Sequence, residues 1–301
     1  MIIENDSQMV KSSYKHQEER RNAKMNSNIL RKTLLAISVT SLLIPATSTI
    51  INTPIENVSH ASELELTKDE FQNRWDKYNK GNPLDLPQEY LSRIKDTNEY
   101  PYQSVGSIFI KGKTVATASV VGKNKIITNF HVAREAAKDP SKVLFRPGMT
   151  KEELGGEVKL PYGVFEAESI KEAPFGEGVD LAVITLKPNG EGKNIGDIVK
   201  PLEFGNGDAI DPNQSLKLIG YPYNTVQDTM HKHKIEVYST NRGLEYFGYT
   251  EAGNSGSPIL DDDNNIVGMH VGKAGIKDRG DILTGIRFDS NFMKFLKKEI
   301  Q

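Results

Sequence analysis

The stretch Gly253-Asn254-Ser255-Gly256-Ser257-Pro258 sets a serine between two glycines, just ahead of an apolar run. Such a serine suits nucleophilic attack on a carbonyl. Flanking glycines let backbone N–H groups turn toward a developing oxyanion with no side chain in the way. A serine hydroxyl is a weak nucleophile near neutral pH. It needs an imidazole within hydrogen-bond reach, and that imidazole needs a carboxylate to fix its tautomer. Both partner types occur upstream: Thr128-Asn129-Phe130-His131-Val132-Ala133 follows an apolar run, and Gly178-Val179-Asp180-Leu181-Ala182-Val183 opens another. The expected roles are Ser255 as nucleophile, His131 as general base and acid, and Asp180 as orienter. The backbone N–H groups of Gly253 and Ser255 form the expected oxyanion hole. Each residue alone has an ordinary structural reading, as a turn serine, a turn aspartate or a solvated histidine. The chain order His, Asp, Ser at the edges of regular elements carries the catalytic one.

Composition narrows the possibilities. The chain has 301 residues, is 37% hydrophobic and carries a formal net charge of -2. That length suffices for one large or two small domains, and the charge points to no nucleic acid partner. There is no cysteine, which excludes disulfides, thiolate metal sites and a cysteine nucleophile. Stability must come from core burial alone, which a chain of this length can supply.

The first 61 residues read as leader. Asn28-Ile29-Leu30-Arg31-Lys32 is a basic flank, no charged residue occurs from Thr33 to Ile55, and Ser59-His60-Ala61 offers small residues for signal peptidase. Cleavage after Ala61 is expected, giving a secreted, mildly acidic protein. An uncleaved membrane anchor is the alternative, but Pro45 and several hydroxyl residues break the apolar stretch short of a full span. Residues 1–24 are polar and precede a second methionine, Met25, where translation is expected to begin.

Leu66-Thr67-Lys68-Asp69-Glu70-Phe71 is a helix start. Thr67 caps, Glu70 completes a capping box, and Leu66 and Phe71 occupy the staple positions. Phe71, Trp75 and Tyr78 line one face, which is expected to dock onto the core, and Gly81-Asn82-Pro83 ends the helix. A second short helix is expected over Pro87 to Ile94, so residues 62–100 form a helical extension. From Val105 the pattern changes to twelve short β runs in two sets. Two antiparallel barrels are expected, the first over residues 101–200 and the second over 201–288, followed by a terminal helix over 289–301. The fold class is all-β with helices at both ends. His131 then follows a strand of the first barrel, Asp180 precedes another, and Ser255 lies in a second-barrel loop. A triad across the cleft between barrels is what this layout permits.

From Ser62 the chain resembles, nearly end to end, the staphylococcal exfoliative (epidermolytic) toxins, which are secreted chymotrypsin-like serine proteases related to glutamyl endopeptidases. The resemblance rests on Ile126-Ile127 running into Thr128-Asn129-Phe130-His131, on Asp139-Pro140-Ser141-Lys142-Val143 and on Phe145-Arg146-Pro147. It continues through Pro174-Phe175-Gly176, Gly178-Val179-Asp180-Leu181-Ala182, Leu218-Ile219-Gly220-Tyr221-Pro222, Arg242-Gly243-Leu244 and Gly253-Asn254-Ser255-Gly256-Ser257. The N-terminal aromatic helix and Tyr100-Pro101-Tyr102 also match, and simpler glutamyl endopeptidases lack that extension. The resemblance implies a chymotrypsin-like double β-barrel and cleavage after an acidic residue, chiefly Glu. It also implies a monomer acting outside the cell on a desmosomal cadherin of the desmoglein type, with no stable membrane insertion. Two alternatives stay open: a broad-specificity glutamyl endopeptidase, and a catalytically silent binding protein of the same fold.

A pocket for a substrate carboxylate needs buried donors and positive charge. Thr250, five residues before Ser255, matches the family's carboxylate-binding positions, as do His270 and Lys273 in Gly268-Met269-His270-Val271-Gly272-Lys273. Alternatively His270 is a satisfied core histidine and Lys273 a surface charge. Asn254 stands where an aspartate would be needed to pair with a freed N-terminal amine, so trypsin-type activation is not expected. Ala252-Gly253 replaces the Pro-Gly of some exfoliative toxins, leaving that peptide freer to turn. No cofactor or metal is implied. Asp261-Asp262-Asp263-Asn264-Asn265 reads as a hairpin turn, since it lacks calcium-loop spacing. His231 and His233 alternate on one strand face with no third ligand, and are expected at the surface or in a loop.

Overall fold

The computed structural model describes residues 62–111, 114–153, 155–174, 179–223 and 227–300. The expected leader, with Met25 and the cut after Ala61, lies outside these residues, as do Phe175, Gly176 and Gly178 of the family motifs.

Helix α1 (Lys68–Asn79) opens as its sequence dictates. Glu70 N–H donates to Thr67 Oγ1 at 3.3 Å, and Thr67 N–H donates to Glu70 Oε2 at 2.8 Å. Its aromatic face is buried: Phe71 and Tyr78 pack with Tyr238, Phe247 and Ile282, and Trp75 lies at the margin. The helix expected over Pro87 to Ile94 does not form. The Tyr90 and Leu91 N–H groups both donate to the Pro87 carbonyl, which makes one turn. The chain then extends as strand β1 (Leu91–Arg93), antiparallel to residues 231–233. The backbone bonds offered by that distant strand outweigh the local helical preference.

The first barrel holds β2 (Val105–Ile110), β3 (Thr114–Val120), β4 (Lys125–Thr128) and β5 (Val143–Pro147). Strand β4 runs straight into a single helical turn, α2 (Phe130–Ala133). After β5 comes a short ribbon of β6 (Thr150–Lys151) and β7 (Val158–Lys159), then β8 (Phe165–Glu172) and β9 (Ala182–Leu186). The strands close in the order β2-β3-β4-β9-β8-β5 around Ile108, Phe145, Phe165 and Ile184.

The second barrel holds β10 (Ser215–Gly220), β11 (His231–Ser239), β12 (Leu244–Phe247), β13 (Pro258–Leu260), β14 (Ile266–Ile276) and β15 (Gly280–Arg287). Their order is β11-β10-β13-β14-β15-β12, and pairing of β11 with β12 closes the ring, with β1 added outside β11. Leu218, Ile235, Tyr246 and Ile259 fill it. The residues from 261 to 265 form the β13–β14 turn, where Asn265 N–H donates to Asp261 Oδ1 at 2.8 Å.

A third core joins the barrels. Val105, Ile127, Leu181 and Val183 of the first meet Ile219, Tyr221, Met269 and Ile286 of the second. Helix α3 (Ser290–Ile300) covers this seam with Phe292, Met293 and Leu296, while Phe295 is only partly buried. Burial on both sides of the seam fixes how one barrel faces the other.

Candidate active site

Strand register brings the first two polar residues together. Thr128 of β4 pairs with Ala182 of β9, so the turn leaving β4 lies beside the segment entering β9. The turn carries His131 and the segment carries Asp180. Asp180 Oδ1 accepts the His131 backbone N–H at 2.7 Å, and Asp180 Oδ2 is hydrogen-bonded to ring Nδ1. Asn129 Nδ2 holds the Asp180 carbonyl at 2.9 Å. A carboxylate only accepts, so Nδ1 carries hydrogen and Nε2 is left as a base. Burial acts to raise the Asp180 carboxyl, but the His131 ring and backbone bonds overcome it and hold the group below the usual carboxylate range.

Ser255 reaches this place through Thr117 on β3. The Thr117 backbone N–H donates to the Ser255 carbonyl at 2.9 Å. The Thr117 hydroxyl donates to the Gly253 carbonyl at 2.8 Å and accepts the Tyr221 N–H at 3.0 Å. One buried side chain of the first barrel thus pins two segments of the second. The next residue, Gly256, packs so tightly that a Cβ there would lie 2.2 Å from the Thr117 carbonyl and 2.4 Å from Thr128 Oγ1. Thr128 is the last residue of β4, three before His131. The turn bearing Ser255 therefore backs directly onto the strand end that leads to the imidazole.

Gly253 has φ +99°, and a Cβ there would lie 2.1 Å from the Tyr221 carbonyl. Only glycine fits. The preceding carbonyl, of Ala252, accepts the Tyr223 N–H at 2.7 Å. In a trans peptide the N–H points opposite to the carbonyl. Tying the Ala252 oxygen to Tyr223 thus turns the Gly253 N–H away from Tyr223.

Of the residues expected to take a substrate carboxylate, Thr250 is half-buried between β12 and the Ser255 turn. His270 is buried on β14, and its carbonyl accepts the Gly256 N–H at 3.1 Å. Its Nδ1 lies 2.6 Å from the Tyr246 hydroxyl. Burial, then the nearby charge of His131, pushes the His270 imidazole down to about 3, so it is neutral near pH 7. Burial also raises the Tyr246 phenol well above its ordinary value, keeping it an O–H donor. When Tyr246 donates to Nδ1, His270 presents an Nε2–H donor. Lys273 stands apart: its exposed ammonium pairs with Asp281 at 2.8 Å and lies 5.9 Å from the Trp75 ring centroid.

His231 and His233 are not at the surface as expected. Both are buried on β11. In His231-Lys232-His233-Lys234 the alternation turns the lysines outward and the histidines inward. Thr117 and Tyr246 escape sequence reading because their partners are distant in the chain. The run of small residues Thr117-Ala118-Ser119 is the available signal that β3 packs closely against something.

Residues 116–269 match the model of the trypsin-like peptidase domain. The chain is 39% identical over 259 residues to exfoliative toxin A of Staphylococcus aureus, covering 84% of this chain and 91% of that protein. It is 31% identical over 220 residues to the glutamyl endopeptidase of Staphylococcus aureus strain MW2, covering 72% of this chain and 64% of that one. A solved glutamyl endopeptidase in complex with MPD superposes with TM-score 0.57 at 22% identity, over 70% of this chain and 96% of its own. The protease Anisep from Arthrobacter nicotinovorans gives 0.51 at 16%, over 67% and 97%. Fold and sequence together define a serine peptidase of the trypsin-like class. Within that class, the chain belongs to the family of the staphylococcal exfoliative toxins and their glutamyl endopeptidase relatives.

Proposed function

We propose that this chain is a secreted, monomeric serine endopeptidase that cleaves after acidic residues, chiefly Glu, and whose target is a desmosomal cadherin of the desmoglein type. The observation that carries the catalytic half is the double grip of Asp180 on His131 beside the Ser255 turn. In this reading His131 Nε2 takes the Ser255 proton as the hydroxyl attacks, and the carboxylate stabilises the imidazolium. The N–H groups of Gly253 and Ser255 receive the oxyanion. His131 then passes the proton to the leaving amine, and water repeats the cycle on the acyl-enzyme.

Acidic preference is supported by the donor arrangement at His270. A buried Nε2–H backed by a phenol suits a carboxylate, and a bound carboxylate would favour protonation of the ring. Thr250 adds a hydroxyl. Lys273 contributes charge at longer range, or swings from Asp281 when substrate binds. Cadherin targeting rests on likeness to exfoliative toxin A.

Wild type and Ser255→Ala are incubated with purified desmoglein ectodomains, and the new termini are sequenced. The expected result is a cut after Glu with wild type and none with the variant. Ectodomain left intact by a wild type that digests casein would replace this target with the broad glutamyl endopeptidase reading, which the 31% identity to that enzyme favours.

A further inference from the structure

His233 is a buried titratable group with no part in the mechanism above. Its surroundings are unusual. Ring Nδ1 lies 2.8 Å from the Tyr249 carbonyl, and Nε2 lies 3.3 Å from Asn254 Nδ2. A carbonyl only accepts, so Nδ1 carries the hydrogen, and Nε2 accepts from the Asn254 amide. Asn254 is fully buried, and its Oδ1 accepts the Glu251 N–H at 3.1 Å. Both ends of that amide are therefore engaged inside the chain. The His233 ring also stacks on Tyr249, with centroids 6.4 Å apart and planes 15° apart.

These contacts bracket one loop. Tyr249 opens it and Asn254 closes it, and between them lie Thr250 of the carboxylate pocket and Gly253 of the oxyanion site. The residue before the nucleophile is an amide, which cannot form the ion pair with a freed amine that orders this loop in trypsin-type activation. Something else must order it. We propose that His233 is a positioning residue that, beside Thr117, holds the nucleophile loop in working shape, chiefly by accepting the Asn254 amide next to Ser255. The loop is then set by folding, with no cut at the N-terminus required. Burial, then the neighbouring His231, holds His233 down near 3, which keeps Nε2 an acceptor near neutral pH.

The proposal rests on the peptidase reading but is tested with and without turnover. His233→Gln places an amide oxygen near the position of Nε2, preserving the bond to Asn254 beside the nucleophile while giving up the one to Tyr249. His233→Asn places its amide near Nδ1, preserving the bond to Tyr249 while losing Asn254. Amide exchange across residues 250–257 is measured first. It should be about tenfold faster or more in His233→Asn, and near wild type in His233→Gln. Glu-peptide hydrolysis follows. His233→Asn should lower kcat about 10- to 100-fold with KM within about threefold, because a small displacement of oxyanion donors is costly. His233→Gln should restore kcat.

If His233→Asn fails to fold, Asn254→Ala removes the same bond from its other end, together with the bond from the Glu251 N–H. Faster exchange in that loop and a lower kcat are then expected, and His233→Gln on the Asn254→Ala background should restore neither. Equal exchange and equal kcat in wild type and the bond-breaking variants would overturn the latch, as would equal damage from His233→Asn and His233→Gln. A wild type that cleaves no Glu peptide sinks the reading of acidic preference instead, while the exchange result still decides the latch.

Discussion

Asp180 holds His131 at two points, through the backbone N–H at 2.7 Å and through the ring Nδ1. The first bond fixes where the residue starts and the second fixes how its ring is turned. Asp180→Asn keeps the shape but can offer an N–H where the ring needs an acceptor, which inverts the tautomer. The expected loss is about 10³- to 10⁴-fold in kcat with little change in thermal stability. Kinetics on a Glu peptide beside a melting curve check this, and an unchanged kcat would contradict it.

Thr117→Val is expected to harm stability and catalysis together. It strips the partner from the buried Gly253 carbonyl and from the Tyr221 N–H. Each orphaned group costs about 1–3 kcal/mol. Thr117→Ser keeps the hydroxyl and should lose only about 1 kcal/mol for the missing methyl. Urea unfolding of the three proteins gives the comparison. Equal midpoints for valine and serine would refute the bridging role.

The two barrels, the capped first helix and the terminal helix are legible in the sequence because each depends on local pattern. Alternation marks strands, and Thr67 with Glu70 marks a helix start. What escapes is long-range. Residues 87–94 carry helical spacing, yet Leu91 pairs with His233, a partner no local pattern announces. The histidines of His231-Lys232-His233-Lys234 look like a polar face. Both point inward: Tyr249 and Asn254, 16 and 21 residues on, supply hydrogen bonds to His233, while His231 Nδ1 lies 3.3 Å from the Thr229 carbonyl. Lys273, which the resemblance places at the pocket, has Asp281 as a neighbour across the hairpin of β14 and β15, a contact no local pattern announces.

His233 and His270 sit near 3 in the folded chain, against an ordinary value of 6.5. Between those values the unfolded chain binds more protons. Their contribution is complete above about pH 6.5 and drains as pH falls toward 3, at about 1.4 kcal/mol per pH unit for each imidazole. Thermal unfolding from pH 7 to pH 4 should therefore show a falling Tm, and His270→Gln should flatten the slope. Parallel curves for wild type and variant would mean that His270 charges freely in the folded state.

The residues proposed for the carboxylate pocket should separate by burial. His270→Ala removes a desolvated donor and should cut the preference for Glu over Gln about 10- to 100-fold, through the loss of a hydrogen bond to charge. Lys273→Ala removes an exposed ammonium already paired with Asp281 and should cost less than about fivefold. kcat/KM values on matched Glu and Gln peptides distinguish the two. The reverse order would place the carboxylate at Lys273.

The most direct measurement is hydrolysis of a matched pair of peptides, with Glu or Gln at the cleavage position, by wild type and by Ser255→Ala. An imidazole-activated serine beside a carboxylate pocket predicts that wild type cuts the Glu peptide with kcat/KM about 100-fold above the Gln peptide, and that Ser255→Ala cuts neither. Equal cleavage of both peptides by wild type, or cleavage that survives loss of the hydroxyl, would contradict the account.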